Sequence, residues 1–301
     1  EAFTNAYPDV VDVVGDFGGG LNNAGERITL SRWDGNSWVT EDTFEYIDED
    51  RADGTGRSLE LVHPGFARLD DQFYGDWCSS TSMSGTPGRV NSVFDDTPLP
   101  VAGNVKHNPA LPPAQSVVTI SARITGRDSD DVDSATLLYR RDTIPTGPFS
   151  DVFMEDFGTR GDAVAGDGVY SAAVPRLGDP PFQAGQVMEF RIEVTDSYGT
   201  RTFPATNRAD SFQTSYSYFC KFGEDPQTDV DYPGEYRTFH ILMTQANKNL
   251  LQTRPVQDDT LIDATFITDA GEIFYNCGVR LRGGSSRNSL LGGYRIDLPN
   301  E

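Results

Sequence analysis

The sequence predicts a mainly-β protein, and three features carry that prediction. Apolar and polar residues alternate in short runs, turn-forming dipeptides separate those runs, and a 3.6-residue period is never sustained beyond one short stretch. The runs group into two small β-sandwich modules, the first truncated at its start, followed by an incomplete α+β portion. With 18 Phe, 12 Tyr and 3 Trp in 301 residues, aromatic content is sufficient for several small cores. Against 24 Lys+Arg stand 46 Asp+Glu, giving a formal net charge of −22. Such a field repels phosphate backbones and anionic lipid, which argues against nucleic acid and membrane surfaces as partners. No run approaches the ~18 apolar residues that a membrane-spanning helix needs.

The first segment, residues 1–93, is read as all-β. Residues 27–33 alternate and end at Asp34-Gly35, a hairpin turn signal, after which residues 38–40 form a second strand. Residues 58–62 form another, stopped by His63-Pro64-Gly65. Residues 94–111 read as a proline-rich linker, since Pro98, Pro100 and Pro109 lack the donor that a ladder or helix requires. The second segment, 112–204, repeats the strand pattern at 117–124, 135–141, 168–174 and 187–195, as expected of a small sandwich. After a polar joint at 204–210, the third segment, 212–301, is predicted to hold a strand at 236–243 and a short helix at 245–253. A hairpin over 261–281 and the start of another strand at 294–298 follow. The chain begins at Glu1 and stops at Glu301 just after that strand, so it reads as a piece of a longer protein.

Few residues suggest enzyme chemistry. Cys78, Cys220 and Cys277 form no CxxC pair, and none of His63, His107 and His240 lies near a cysteine, so a transition-metal site has no support. Cys220 and Cys277 share the third segment and could form a disulfide in an exported protein; the odd count leaves buried free thiols equally open. No GxSxG elbow, Walker A loop or GxGxxG loop is present.

Three clusters carry candidate functions. Asp156, Asp162 and Asp167, interleaved with Gly158, Gly161, Gly166 and Gly168, have the composition of a calcium-ligating loop. Hard cations take several oxygens, and glycine lets carbonyls turn inward. The alternative is an ordinary series of Asp-Gly turns. Asp128, Asp130, Asp131 and Asp133 form either a second such loop or a solvated hairpin tip, and the tip is favoured. Arg280, Arg282, Arg287 and Arg295, with Ser285 and Ser286, form a dense basic cluster that could face a phosphate, or could pair with acids such as Asp263 or Asp297. Trp33, Trp38, Trp77, Phe44 and Tyr46 could form a platform for sugars, but their alternation on short strands favours core positions.

Three resemblances extend this reading. Residues 19–28 (GGLNNAGERI), 53–61 (DGTGRSLEL), Trp77 and 85–89 (GTPGR) resemble the C-terminal part of a lamin tail domain, an Ig-like module of bacterial surface and secreted proteins. The family's opening strands have no counterpart here. Gly161-Asp162 followed by 165–170 (AGDGVY) resembles a generic Ig-like domain. Residues 278–287 (GVRLRGGSSR) and 294–299 (YRIDLP) resemble the beginning of a CotH-type domain, a spore-coat family with a divergent protein-kinase-like fold. That resemblance implies ATP and magnesium in the complete parent domain and assigns Arg280, Arg282, Ser285, Ser286, Arg287 and Arg295 to nucleotide phosphate. Residues 288–293 lack the lysines that many relatives carry there. The acids of a kinase catalytic loop would lie beyond Glu301, so this stretch is expected to be inactive by itself. Together with a Gly- and Asp-rich, Lys-poor composition, the resemblances imply an extracellular or cell-surface bacterial protein whose partners are surface, matrix or coat components. Either the parent is an atypical kinase presented by β attachment modules, or it is a non-catalytic structural or adhesive protein.

Overall fold

A computed structural model describes residues 2–11, 13, 20–22, 25–47, 52, 55–66, 77–127, 132–204, 216–223, 238–255, 257–283 and 293–298. The protein is mainly β, with antiparallel sheets and two short helices among those residues. It divides into two compact units, residues 1–103 with 125–131 and 300–301, and residues 104–124 with 132–299.

In the first unit, α1 (Ala2–Ala6) precedes a hairpin of β1 (Gly25–Trp33) and β2 (Trp38–Ile47). Asp34 closes the turn, its Oδ1 accepting from the Asn36 and Ser37 N–H groups at 2.8 Å each. A bulge between Leu30 and Ser31 keeps Trp33 directly opposite Trp38. A second pair, β3 (Leu59–Leu61) and β4 (Trp77–Ser79), is organised around the buried Glu60. Its carboxylate accepts from Thr86 Oγ1 at 2.6 Å, Ser92 N at 2.7 Å, Ser92 Oγ at 2.8 Å and Ser58 Oγ at 3.2 Å. Burial pushes this acid up, but these donors outweigh it and hold it down at about 2. Gly85 permits the approach: at φ +75° it adopts a left-handed conformation, and a Cβ there would sit 2.3 Å from Ser58 Oγ.

β5 (Val101–Asn108), most of which belongs to the second unit, forms a three-stranded sheet in the order β5-β6-β9 with β6 (Val118–Thr125) and β9 (Val169–Val174). Residues 94–111 are therefore not a plain linker. The prolines lie at either side of an eight-residue run that has none, so they bound the strand instead of breaking its ladder. A five-stranded sheet has β7 (Ser134–Arg141), β8 (Ser150–Met154), β10 (Gln186–Asp196), β11 (Gly199–Phe203) and β12 (Tyr218–Phe222). Val118, Ile120, Ala122 and Ile124 of β6 are buried, as are Met188, Phe190, Ile192 and Val194 of β10, the alternation expected of strands with one face in a core.

β12 lies in what the sequence reading placed in a separate third segment. It pairs instead with residues 186–190 of β10, while β11 takes residues 192–196 on the same strand. Past it come β13 (His240–Leu242), α2 (Gln245–Thr253), β14 (Ile262–Ile267), β15 (Ile273–Leu281) and β16 (Tyr294–Asp297), the four strands forming a sheet in chain order. Thr244 caps α2 through its hydroxyl, and Asp142 of the sandwich accepts from the Gln245 N–H at 2.6 Å, placing a carboxylate at the helix start. Phe219, Leu242 and Ile267 form a shared core, with Ala110, Val187 and Ile273 packed against it.

His107 of β5 is buried against β15. Its Nε2 lies 2.8 Å from the Ala110 carbonyl, which can only accept, so Nε2 carries the proton and Nδ1 accepts from the Tyr275 hydroxyl. Phe190 and Tyr275 stand edge-on to the imidazole, with Tyr218 next to Tyr275. Burial pushes His107 down to about 4, and the Ala110 carbonyl pulls it partly back. Protonation would force Nδ1 to donate to a hydroxyl that now donates to it.

Of the two alternatives left open for Cys220 and Cys277, a disulfide or buried free thiols, the structure has the free thiols. Both thiols are fully buried and unbridged, as is the partly buried Cys78 in being unbridged. Cys220 lies in the β10–β12 ladder opposite Met188, whereas Cys277 Sγ donates to the Phe274 carbonyl at 3.2 Å.

Two measurements check these statements. In the folded chain His107 titrates near 4 and in the unfolded chain near 6.5, so its contribution is fully present above pH 6.5 and is lost as pH falls towards 4. The loss amounts to about 3 kcal/mol. The difference in unfolding free energy between wild type and His107→Gln should narrow over that pH window and level off below it. Thiol titration should count three groups in denaturant, with Cys220 and Cys277 protected in the native protein because burial also raises the Cys220 thiol.

Candidate metal centre

The loop joining β8 to β9 gathers Asp156, Asp162 and Asp167. Each offers a carboxylate oxygen lying within 4.8 Å of those of the other two. Among the described residues this is the one acidic, histidine or cysteine group so arranged. The convergence comes from local backbone chemistry. Asp156 accepts from Gly166 N at 2.7 Å and Gly168 N at 2.9 Å. Asp162 accepts from Gly158 N at 2.6 Å and Val164 N at 3.1 Å, and Asp167 from Val169 N at 2.9 Å.

Left-handed glycines make these reversals. Gly161 is the least replaceable, because at φ +103° it stands where a Cβ would come within 2.2 Å of Thr119 Cγ2 on β6. Asp162 is buried, Asp156 half-buried and Asp167 exposed, so the group lies at the surface with one member anchored inside. Glu155, beside it, pairs with Arg160 at 3.5 Å. Burial and then the Asp156 charge push the neighbouring Tyr170 phenol up.

The donor set is all oxygen, which fits a hard divalent cation. Ligands at about 2.3–2.6 Å from one Ca²⁺ stand at most about 5 Å apart, so the three oxygens meet that limit. Backbone donors offset part of the mutual repulsion of the carboxylates.

Of the second acidic cluster, Asp128, Asp130 and Asp131 lie outside the described residues. Asp133 is exposed and begins the β7 strand region, its N–H donating to the Thr195 carbonyl.

The basic cluster is resolved in part. Ser285, Ser286 and Arg287 lie outside the described residues. Arg280 on β15 and Arg295 on β16 are direct cross-strand partners. Each has an acid: Arg280 Nη1 lies 2.8 Å from Asp259 Oδ1, and Arg295 Nε lies 2.7 Å from Asp297 Oδ1. Arg282 is exposed at the end of β15. Asp263, offered by the sequence as a partner for this cluster, is buried and accepts from the Ser217 N–H at 3.0 Å.

The aromatic residues divide in a way alternation did not show. Phe44 packs on Trp77 with ring centroids 4.1 Å apart. Trp33 and Trp38 are 51% and 70% exposed and meet edge to face at 5.4 Å. A two-stranded hairpin has one face to cover a core and another left to solvent, and alternation alone does not say which residues take which. Among the described residues no helix is long and apolar enough to cross a membrane. No protein-family model and no curated protein sequence matches this chain.

Proposed function

We propose that the chain is a non-catalytic attachment module of an extracellular or cell-surface protein, in which the loop bearing Asp156, Asp162 and Asp167 takes a calcium ion. The observation that supports it is the meeting of three carboxylate oxygens within 4.8 Å at the surface of a β-sandwich. Extracellular modules commonly bind calcium at about 10⁻⁴–10⁻³ M, where the ion is abundant. In this reading the cation holds the β8–β9 loop and the end of the sandwich in one conformation, and the attached surface, matrix or coat component is met by neighbouring parts of the chain.

A second reading follows from the opposed Arg280 and Arg295, since like charges placed face to face on adjacent strands favour an anion between them. It corresponds to the phosphate-binding role that the CotH resemblance implies. The ion pairs with Asp259 and Asp297 support the attachment reading instead, because they supply the arginines' counter-charge from within the chain.

Thermal melting distinguishes the outcomes. A ligand at about 100 times its Kd stabilises the native state by about 2.7 kcal/mol. At 2–4 °C per kcal/mol, saturating Ca²⁺ should raise the Tm by about 5–10 °C over EGTA. Asp167→Asn, which keeps an acceptor for Val169 N while removing one charge, should abolish most of that difference. Superimposable melts in Ca²⁺ and EGTA would remove the calcium reading. Calorimetric titration with Mg²⁺-ATP checks the second reading: heat that disappears in Arg280→Ala/Arg295→Ala would establish it.

A further inference from the structure

One face of the β1–β2 hairpin carries only hydroxyl and indole side chains over three cross-strand pairs. Three successive cross-strand pairs stand there: Thr29 opposite Thr43, Ser31 opposite Thr40, and Trp33 opposite Trp38. All six side chains are uncharged, four carry hydroxyls, two carry indoles, and none is aliphatic. All are exposed or half-exposed. Arg27 stands at one end of the strip and the Asp34-Gly35 turn at the other. The face is not the core side of the hairpin, because Phe44, on the other face, is the residue that packs on Trp77. At ~3.3 Å per residue, the strip from Thr29 to Trp33 extends about 13 Å, the length of a short oligosaccharide.

The chemistry of the strip selects among occupants. A net charge of −22 repels polyanions, so acidic glycans, nucleic acid and anionic lipid are disfavoured. An apolar protein surface would cover the indoles but would desolvate four hydroxyls without pairing them, at a cost of about 1–3 kcal/mol each. A neutral sugar chain meets both demands, since its C–H faces stack on indole rings while its hydroxyls exchange hydrogen bonds with Thr and Ser. We propose that this face binds a neutral glycan, with Trp33 and Trp38 as stacking residues and Thr29, Ser31, Thr40 and Thr43 as hydrogen-bonding residues. The proposal gives the attachment role a ligand class. It rests on a different part of the chain from the calcium loop, so failure of one leaves the other standing.

The test uses the full chain and an array of neutral gluco-, manno-, galacto-, xylo- and N-acetylglucosamine oligosaccharides, with heparin and alginate as anionic controls. Trp77, stacked on Phe44, provides an internal fluorescence reference. Saturable binding to at least one neutral oligosaccharide is expected, with a change in tryptophan emission and protection of emission from acrylamide. Trp38→Ala should weaken binding about tenfold or more. Thr43→Val, nearly isosteric, should weaken it less while leaving the Tm close to wild type. Three results overturn the proposal: binding to none of the neutral glycans, binding only to the anionic ones, or neutral binding unaltered in both variants. Emission already shielded from acrylamide before any glycan is added would also overturn it, as it would mean that another protein surface covers the indoles.

Discussion

Along one edge, β12 donates and accepts in the ladder of β10; along the other it meets side chains of β14, with which it forms no ladder. The N–H groups of Ser217 and Phe219 are buried on that second edge and would carry a desolvation cost if left unmade. Two side chains of β14 take them: the Asp263 carboxylate at 3.0 Å and the Thr265 hydroxyl at 3.1 Å. Side-chain acceptors thus substitute for a ladder, and two sheets abut through a strand without merging. Behind the junction, Glu189 is buried and accepts from Arg140 Nε and Ser217 Oγ, each at 2.7 Å, with Arg191 at 3.6 Å. Both guanidiniums lie over Phe149, at 4.1 and 5.0 Å. Breaking such a network at one member leaves a buried charge, which costs more than the intact network contributes. The seam between the sandwich and the following sheet therefore holds as a unit.

Cations are scarce in this chain, and several of them pair with acids of the same chain. Arg140 and Arg191 serve Glu189, Arg280 serves Asp259, Arg295 serves Asp297, and Arg32 pairs with Glu41 at 2.6 Å on the hairpin. Each pair sets a cation against an acid of the same chain, so the net charge of −22 is unchanged. The outward field remains that of an acidic protein, which favours divalent cations and neutral polymers over anions.

The aspartate loop shows how one set of bonds serves two ends. N–H groups of Gly158, Val164, Gly166, Gly168 and Val169 fold the loop by binding carboxylate oxygens, and the same bonds aim the three acids at a common point. The local pattern suffices for the turns, but the anchor is tertiary: Gly161 lies against Thr119 of a strand some forty residues earlier in the chain.

Alternation and turn chemistry by themselves determined the mainly-β class and the strands β6, β7, β9 and β10, and the sequence also placed the helix, which occupies residues 245–253 as read. They also singled out Asp156, Asp162 and Asp167, because a loop closed by its own backbone N–H groups is encoded locally. Long-range pairing was not legible. β5 was hidden among prolines that turned out to flank it, and β12, five residues long and buried at four of them, shows no alternation. Its membership in the β10 sheet depends on which edge is free and on Asp263 and Thr265 arriving from more than forty residues away. Likewise, which face of the β1–β2 hairpin is covered was decided by the contact between Phe44 and Trp77, a residue thirty-three positions on. The sequence set the period of the strands with one buried face; tertiary structure alone chose their partners, because backbone hydrogen bonds are the same for every residue and only packing tells one edge or face from another.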